Sequence, residues 1–280
     1  LIGCAVVLAF SYSGAATSLD NSLSALRMSV LKRAPSGTVT VVAIDPESIQ
    51  AAGEWPWPRD RFAIALDNLN DAGAGMIAMD VDFSARSTLE GDAAMAAALE
   101  RNNGWIALPV FLQRDLRTTN TPIADFAEFA VAASVNVELS KDGIARRYRR
   151  SFFYDDTFYP TLGAVLAGAP LNDTRPFSID YGIDLDQIET ISFEDVLNNN
   201  FDPDLVANRS ILIGATALEL GDNLSTPHSA ALPGVFVHAL GYESILQKRA
   251  LITPSKIWTI CLALALLALG EYFAKRTKLV

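Results

Sequence analysis

Four short runs constrain this chain most: Thr38-Val-Thr-Val-Val-Ala-Ile-Asp45, Met76-Ile-Ala-Met-Asp-Val-Asp-Phe83, Trp105-Ile-Ala-Leu-Pro-Val-Phe111 and Arg209-Ser-Ile-Leu-Ile-Gly214. Each is apolar with little polar alternation. A strand with one wet face alternates, whereas a near-continuous run suits a strand buried on both faces, as in a parallel sheet covered by helices. Helical stripes separate the first three runs. Pro58 or Arg59 opens a helix whose Phe62, Ala65, Leu66 and Leu69 recur at helical spacing, and Gly73 stops it. Asp92 is placed to cap a second helix carrying Met95, Ala96 and Leu99. The order β-α-β-α-β makes right-handed crossovers the default, so the expected fold is α/β, a largely parallel central sheet with helices on both faces.

The middle of the chain departs from that rhythm. Val131–Glu138 and Ile144–Phe153 flank the turn signal Lys141-Asp142-Gly143, which predicts a β-hairpin insertion. Next come a helix over 160–169, strands over 177–180 and 188–191, and a short helix over 193–198 capped by Ser192. Pro233 opens an amphipathic helix running to Arg249, close before the last apolar run.

The two ends are apolar. From Ile257 to Phe273 only Glu271 interrupts the run, which is close to the minimum that spans about 30 Å of hydrocarbon. Lys275, Arg276 and Lys278 lie just beyond it, and the positive-inside rule then places Val280 in the cytoplasm. Residues 1–17 are uncharged and rich in small apolar residues. They read as the tail of a transmembrane helix or as the apolar core of a signal peptide, and either would export the domain after them. The expected organisation is a membrane helix over 1–19, an extracytoplasmic domain over 35–252, a membrane helix over 254–274 and a cytoplasmic stub over 275–280.

Residues 34–256 hold 30 acidic and 16 basic side chains, a net charge of −14. Such a surface repels phosphate backbones and anionic lipid, which excludes nucleic-acid binding. Cys4 and Cys261 lie in the apolar ends, so the domain has neither a disulfide framework nor a thiolate metal site.

Several polar residues sit where the strands end. In open parallel sheets the crevice at the carboxyl edge is the usual ligand site, and Asp45, Asp80, Asp82 and Thr216 fall there. Asp80 and Asp82, two apart, point to one face of a continuous strand, suited to a divalent cation or a cationic group, or to capping of helix ends. In Glu54-Trp-Pro-Trp-Pro-Arg-Asp60, alternating prolines stiffen a loop that presents Trp55, Trp57 and Arg59; it suits a planar or anionic ligand, or a plug over the sheet. Asp222 and Thr226 lie in the loop entering the 233–249 helix at its positive end, and His238 lies about one turn inside. Arg146-Arg-Tyr-Arg-Arg150 reads as a local salt-bridge patch. No nucleophile has a credible base, and no Gly-rich phosphate loop is present.

In this order the pieces resemble the type 2 branch of the CHASE group of extracellular sensory domains, associated with cyclases and histidine kinases. The carrying residues are Val41-Val-Ala-Ile-Asp45 with Ser48, Gly53-Glu-Trp-Pro-Trp-Pro-Arg59, Gly73-Ala74 with Asp80-Val-Asp-Phe83, and Asn136 with Asp142-Gly143 and Arg146. Leu212-Ile-Gly-Ala-Thr216, Asp222, Thr226-Pro227 and Pro233-Gly-Val-Phe-Val-His-Ala239 complete the match over roughly 39–250. Pro46 departs from the pattern, standing where an acidic residue is expected.

The resemblance implies a sensor held in the inner membrane by several spans, feeding a cytoplasmic cyclase, kinase or phosphodiesterase. It implies no cofactor and no catalysis by this chain. A small-molecule ligand or periplasmic partner and a homodimer are its expected associations. Two readings from the residues stand beside it: an exported hydrolase holding Mg²⁺ with Asp45, Asp80, Asp82 and Asp222, and a membrane-anchored protein-interaction domain.

Overall fold

The computed structural model describes residues 15–53, 55–113, 118–252 and 256–277. Packing divides the chain into two units, Lys32–Leu251 and a second made of Leu1–Leu31 with Ile252–Val280.

In chain order the strands are β1 Val39–Ile44, β2 Ile77–Asp80, β3 Ile106–Leu112, β4 Thr119–Asn120, β5 Val131–Ser134, β6 Glu138–Leu139, β7 Ala145–Arg149 and β8 Ser151–Tyr154. They continue with β9 Thr157–Pro160, β10 Pro176–Ser178, β11 Glu189–Ser192, β12 Ser210–Ala215, β13 Asn223–Leu224 and β14 Leu232–Pro233. The α-helices are α1 Ala15–Val30, α2 Pro46–Ala52, α3 Arg59–Asp71, α4 Leu89–Arg101, α5 Ala124–Ala127, α6 Leu162–Leu166, α7 Phe193–Leu197, α8 Gly234–Leu246 and α9 Lys256–Thr277.

The central sheet runs β11-β1-β12-β2-β3, with β5 on the far side of β3 and β4 antiparallel to its end; every other pairing in it is parallel. The apolar runs become its strands because both faces are covered. Val42, Ile44, Met79, Leu108 and Ile213 pack in one core with Phe62, Leu66, Met95 and Phe193 from α3, α4 and α7. Val39, Val41, Ala78, Ala107 and Leu212 pack in the other with Leu162 of α6 and with Val235, Ala239 and Tyr242 of α8. Consecutive residues of one strand thus serve opposite cores, the period of two expected of β structure.

The insertion differs from the expected hairpin. The turn at Lys141-Asp142-Gly143 joins β6 to β7, but Val131–Ser134 extends the central sheet beside β3. A second hairpin, β8–β9, turns at Asp155 and Asp156, both with positive φ (46° and 54°). Asp tolerates that conformation better than most residues with a Cβ. Helix α4 is capped by Thr88, whose side chain accepts from the Gly91 N–H at 3.1 Å, and not by Asp92. Asp92 lies buried in the first turn, paired with Arg59 at 3.3 Å.

Helix α8 is not amphipathic: Val235 and all residues from Val237 to Ser244 are buried. It is a central helix, and its polar residues must therefore be satisfied by protein groups.

In the other unit, α9 carries Ile257, Trp258, Leu262, Leu266 and Leu269 exposed. Among the described residues no helix is long and apolar enough to cross a membrane. Residues 1–14 of the apolar run read over 1–19, and residues 278–280 of the basic end, lie outside the described residues.

Candidate functional site

Because β1, β12 and β2 are neighbours in register, with Ala43 beside Gly214 and Gly214 beside Asp80, the carboxyl ends of three strands meet. That juxtaposition brings Asp45, Thr216 and Asp80 to one edge. The last turns of β12 and β2 are bridged by the first turn of α8. A Cβ on Gly214 would lie 2.8 Å from the Val235 Cβ and 3.2 Å from the Asp80 Cβ. A Cβ on Gly234 would lie 2.5 Å from Asp222 Oδ2. The Gly234 N–H donates to the Asp222 carbonyl at 3.0 Å, fixing the loop that carries Asp222 to the start of the helix.

One turn on, His238 is buried with its Nε2 3.7 Å from Asp80 Oδ2. Its Nδ1 lies 2.6 Å from the hydroxyl of Tyr148, a fully buried residue of β7. That hydroxyl accepts the Gly163 N–H at 3.1 Å. With Tyr148 donating to Nδ1, the Nε2–H of a neutral imidazole faces Asp80; in the other tautomer Nδ1–H donates to Tyr148 and Nε2 faces Asp80 bare. At 3.7 Å this is electrostatic contact and not a full hydrogen bond. Tyr148 also packs closely on α8, since a Cβ on Gly241 would meet its ring at 2.6 Å.

Burial sets the electrostatics. Desolvation first, and the neighbouring Asp222 second, push the Asp80 carboxyl up to about 8. Desolvation raises Asp222 as well, outweighing the favourable end of the α8 dipole. Desolvation lowers His238 to about 4 and raises the Tyr148 phenol. At neutral pH the site therefore holds a neutral imidazole and a protonated carboxyl.

These shifts fix how stability depends on pH. Between about pH 4 and 6.5 the folded chain holds an extra proton on Asp80 and the unfolded chain one on His238, so these two effects oppose, while the raised Asp222 adds to that of Asp80. Above 6.5 only the folded chain holds the extra proton, so stability falls until about pH 8 and then levels off. We expect a loss of about 2 kcal/mol over that interval, read as a lower urea midpoint at pH 8.5 than at pH 6.5. A midpoint that rises with pH would contradict these assignments.

The other residues expected at the site divide clearly. Asp45 caps α2, accepting the Ser48 N–H at 2.8 Å and the Ser48 hydroxyl at 2.7 Å. Asp82 does not share a face with Asp80: β2 ends at Asp80, and Asp82 is exposed in a turn, accepting the Ser84 N–H at 2.8 Å. Thr216 is half-buried, with its N–H on the Ile44 carbonyl at 3.0 Å. Thr226 closes its own turn with Ser229 at 2.8 to 3.2 Å.

Trp55 and Trp57 stack edge-on at 5.1 Å and join Phe62 and Phe193, so the Trp-Pro loop is a plug in the core. Arg59 is buried against Asp92 and the Ala85 carbonyl, 5.2 Å from the rings of Phe83 and Phe126. Arg146, Arg149 and Arg150 pair locally, with Asp142 at 2.7 Å, Glu138 at 3.3 Å and Asp173 at 3.1 Å respectively. Among the described residues no three His, Cys, Asp or Glu side chains are placed to hold a metal ion, so the Mg²⁺ constellation of the hydrolase reading does not assemble there. A cleft of about 380 Å³ lies at the opposite, amino edge, lined by Gly73, Asn102, Trp105 and Asn208.

A second polar cluster lies at the far end of α8, where the chain enters and leaves the domain. Glu243, fully buried, accepts the Ser36 N–H at 2.9 Å, the Ser36 hydroxyl at 2.7 Å and the Gln247 amide at 2.8 Å. Buried Asp180 pairs with Arg33 at 3.4 Å and Arg249 at 3.2 Å, and its N–H donates to the Ser244 hydroxyl at 2.9 Å. Sequence reading missed this cluster, because a carboxylate that joins two distant arginines leaves no local pattern.

A family model described as the CHASE2 domain matches residues 1–271. No curated protein and no solved structure gives a significant match.

Proposed function

The chain belongs to the CHASE2 domain family, whose members are sensory domains, and we propose that it is the extracytoplasmic input domain of a transmembrane signalling receptor. The observation that carries this reading is the arrangement of α8. Its first turns carry the Asp80–Asp222–His238–Tyr148 cluster, and its last turns hold both Ser36 and Asp180. A change at the first cluster displaces the element that grips both segments leading out of the domain. This is a two-state element biased by a site, which is what a sensor requires.

The membrane part of the proposal rests on the sequence of 257–273, on the exposed apolar side chains of α9, and on the basic cluster Lys275, Arg276 and Lys278. It places Lys32–Leu251 outside the cytoplasm of an inner-membrane protein. The output is a cyclase, kinase or phosphodiesterase module.

The test is a fusion of the full chain, after Val280, to a cytoplasmic cyclase reporter. Asp80→Asn is nearly isosteric and mimics the protonated carboxyl; its reporter output should differ several-fold from wild type above about pH 8, where wild-type Asp80 loses its proton. Equal output, with equal responses to pH, osmotic and small-molecule challenge, would remove the cluster from signalling.

A further inference from the structure

We propose that the ligand read by the Asp80–Asp222 pair is the proton: one is shared between the two carboxyls, and its loss releases the 218–233 segment from the first turn of α8. This rests on the sensory reading above and names what the site senses.

Space comes first. The contacts that Cβ atoms on Gly214 and Gly234 would make, 2.8 Å to Val235 and 2.5 Å to Asp222, show side chains and backbone already closed upon one another. The first turn of α8 thus lies directly against both Asp80 and Asp222, and a proton is the cation that needs no cavity between them.

Charge comes second. The titratable groups facing Asp80 are Asp222 from the loop before β13, His238 from α8 and Tyr148 from β7. At this point β12 contributes Gly214, and α6 contributes the Gly163 N–H, which Tyr148 takes. Among the described residues no Lys or Arg lies within salt-bridge distance of either carboxyl. His238 does not supply the missing positive charge, because burial keeps the ring neutral. A carboxyl as enclosed as Asp80, beside the half-buried Asp222 and without a cation, keeps a proton.

Mobility comes third. Asp80 is fixed on β2, with β12 on one side and β3 on the other. Asp222 is held by one backbone bond from Gly234 and by the two-residue ladder Asn223–Pro233 and Leu224–Leu232, and its segment is tied to β7 by the Ala145 N–H on the Ser225 carbonyl at 2.7 Å. When the shared proton leaves to solvent, the two negative charges separate by moving the weaker side, the 218–233 segment. Opened, Asp222 is hydrated and the pair titrates as ordinary carboxyls.

The experiment uses the full chain in lipid nanodiscs. Infrared spectra should show a protonated-carboxyl band at pH 6 that is gone at pH 9 and absent from Asp80→Asn at both. Amide exchange of 218–233, corrected for intrinsic base catalysis, should rise about tenfold per pH unit up to about pH 8 in wild type, because the closed form holds a proton that the open form releases. It should stay flat in Asp80→Asn, and in Asp222→Asn should the first variant fail to fold. No protonated carboxyl at pH 6, or its titration with no excess exchange in 218–233, would overturn the proposal. Either failure leaves the sensory reading standing if the Asp80→Asn reporter still differs from wild type.

Discussion

Replacing Trp57 with alanine should cost about 3–5 kcal/mol of folding free energy, the range for deleting a large aromatic from a core. Trp57 is 3 % exposed and lies 5.1 Å from Trp55, 6.0 Å from Phe62 and 5.2 Å from Phe193. Removing it leaves a void among rings contributed by α3, α7 and the Trp-Pro loop, and these cannot all collapse inward because each is anchored elsewhere. Trp57→Phe should cost much less, since it refills most of the space. It also removes an indole N–H that has no hydrogen-bond partner among the described residues. Urea denaturation of the two variants measures both effects. An alanine variant within about 1 kcal/mol of wild type would mean the loop is not a plug and would restore Trp57 as a recognition residue.

Gly163→Ala should cost about 3 kcal/mol, the upper part of the range for overpacking a tight core. A Cβ there would lie 2.6 Å from the His238 carbonyl oxygen and 2.8 Å from the Tyr242 nitrogen, both backbone atoms of α8. Backbone does not swing aside as a side chain would, so α6 and α8 must separate. That separation also stretches the Gly163–Tyr148–His238 chain of hydrogen bonds. The variant should therefore be less stable and should lose the elevated Asp80 titration, as water reaches the carboxyl. Thermal unfolding and the carboxyl infrared band test the two consequences separately; a stable variant with an unchanged band would contradict the packing described.

The parallel sheet was legible because strands such as Val39–Ile44 and Ser210–Ala215 lie between two cores, and burial on both faces leaves a continuous apolar run. The site was legible in part. Asp80, Asp222 and His238 stand out by their places at strand and helix ends, and the fold brings them together. The pairing of Asp80 with Asp82 failed because same-face geometry requires the strand to continue, and β2 stops at Asp80. The Trp-Pro loop read equally as a recognition surface or a plug because its core partners, Phe62, Phe83 and Phe193, are scattered along the chain and only the fold assembles them. Tyr148 escaped notice inside Arg146-Arg-Tyr-Arg-Arg150; one aromatic among four arginines on a strand was the available signal. Gly163 gave none, since close approach of two helices has no local pattern.

If the cluster at the start of α8 and the chain's entry and exit segments form one switch, a change at Asp80 must be felt at the far end of the helix. Amide exchange at Arg33, Ser178 and Asp184 reads that directly, because these N–H groups donate to Gly182, Leu251 and Arg33 across the entry and exit. Wild type and Asp80→Asn are compared at pH 8.5, so no correction between pH values is needed. A single switch predicts slower exchange in Asp80→Asn at these amides as well as in 218–233. A difference confined to 218–233, with identical exchange at the three distant amides, would contradict it.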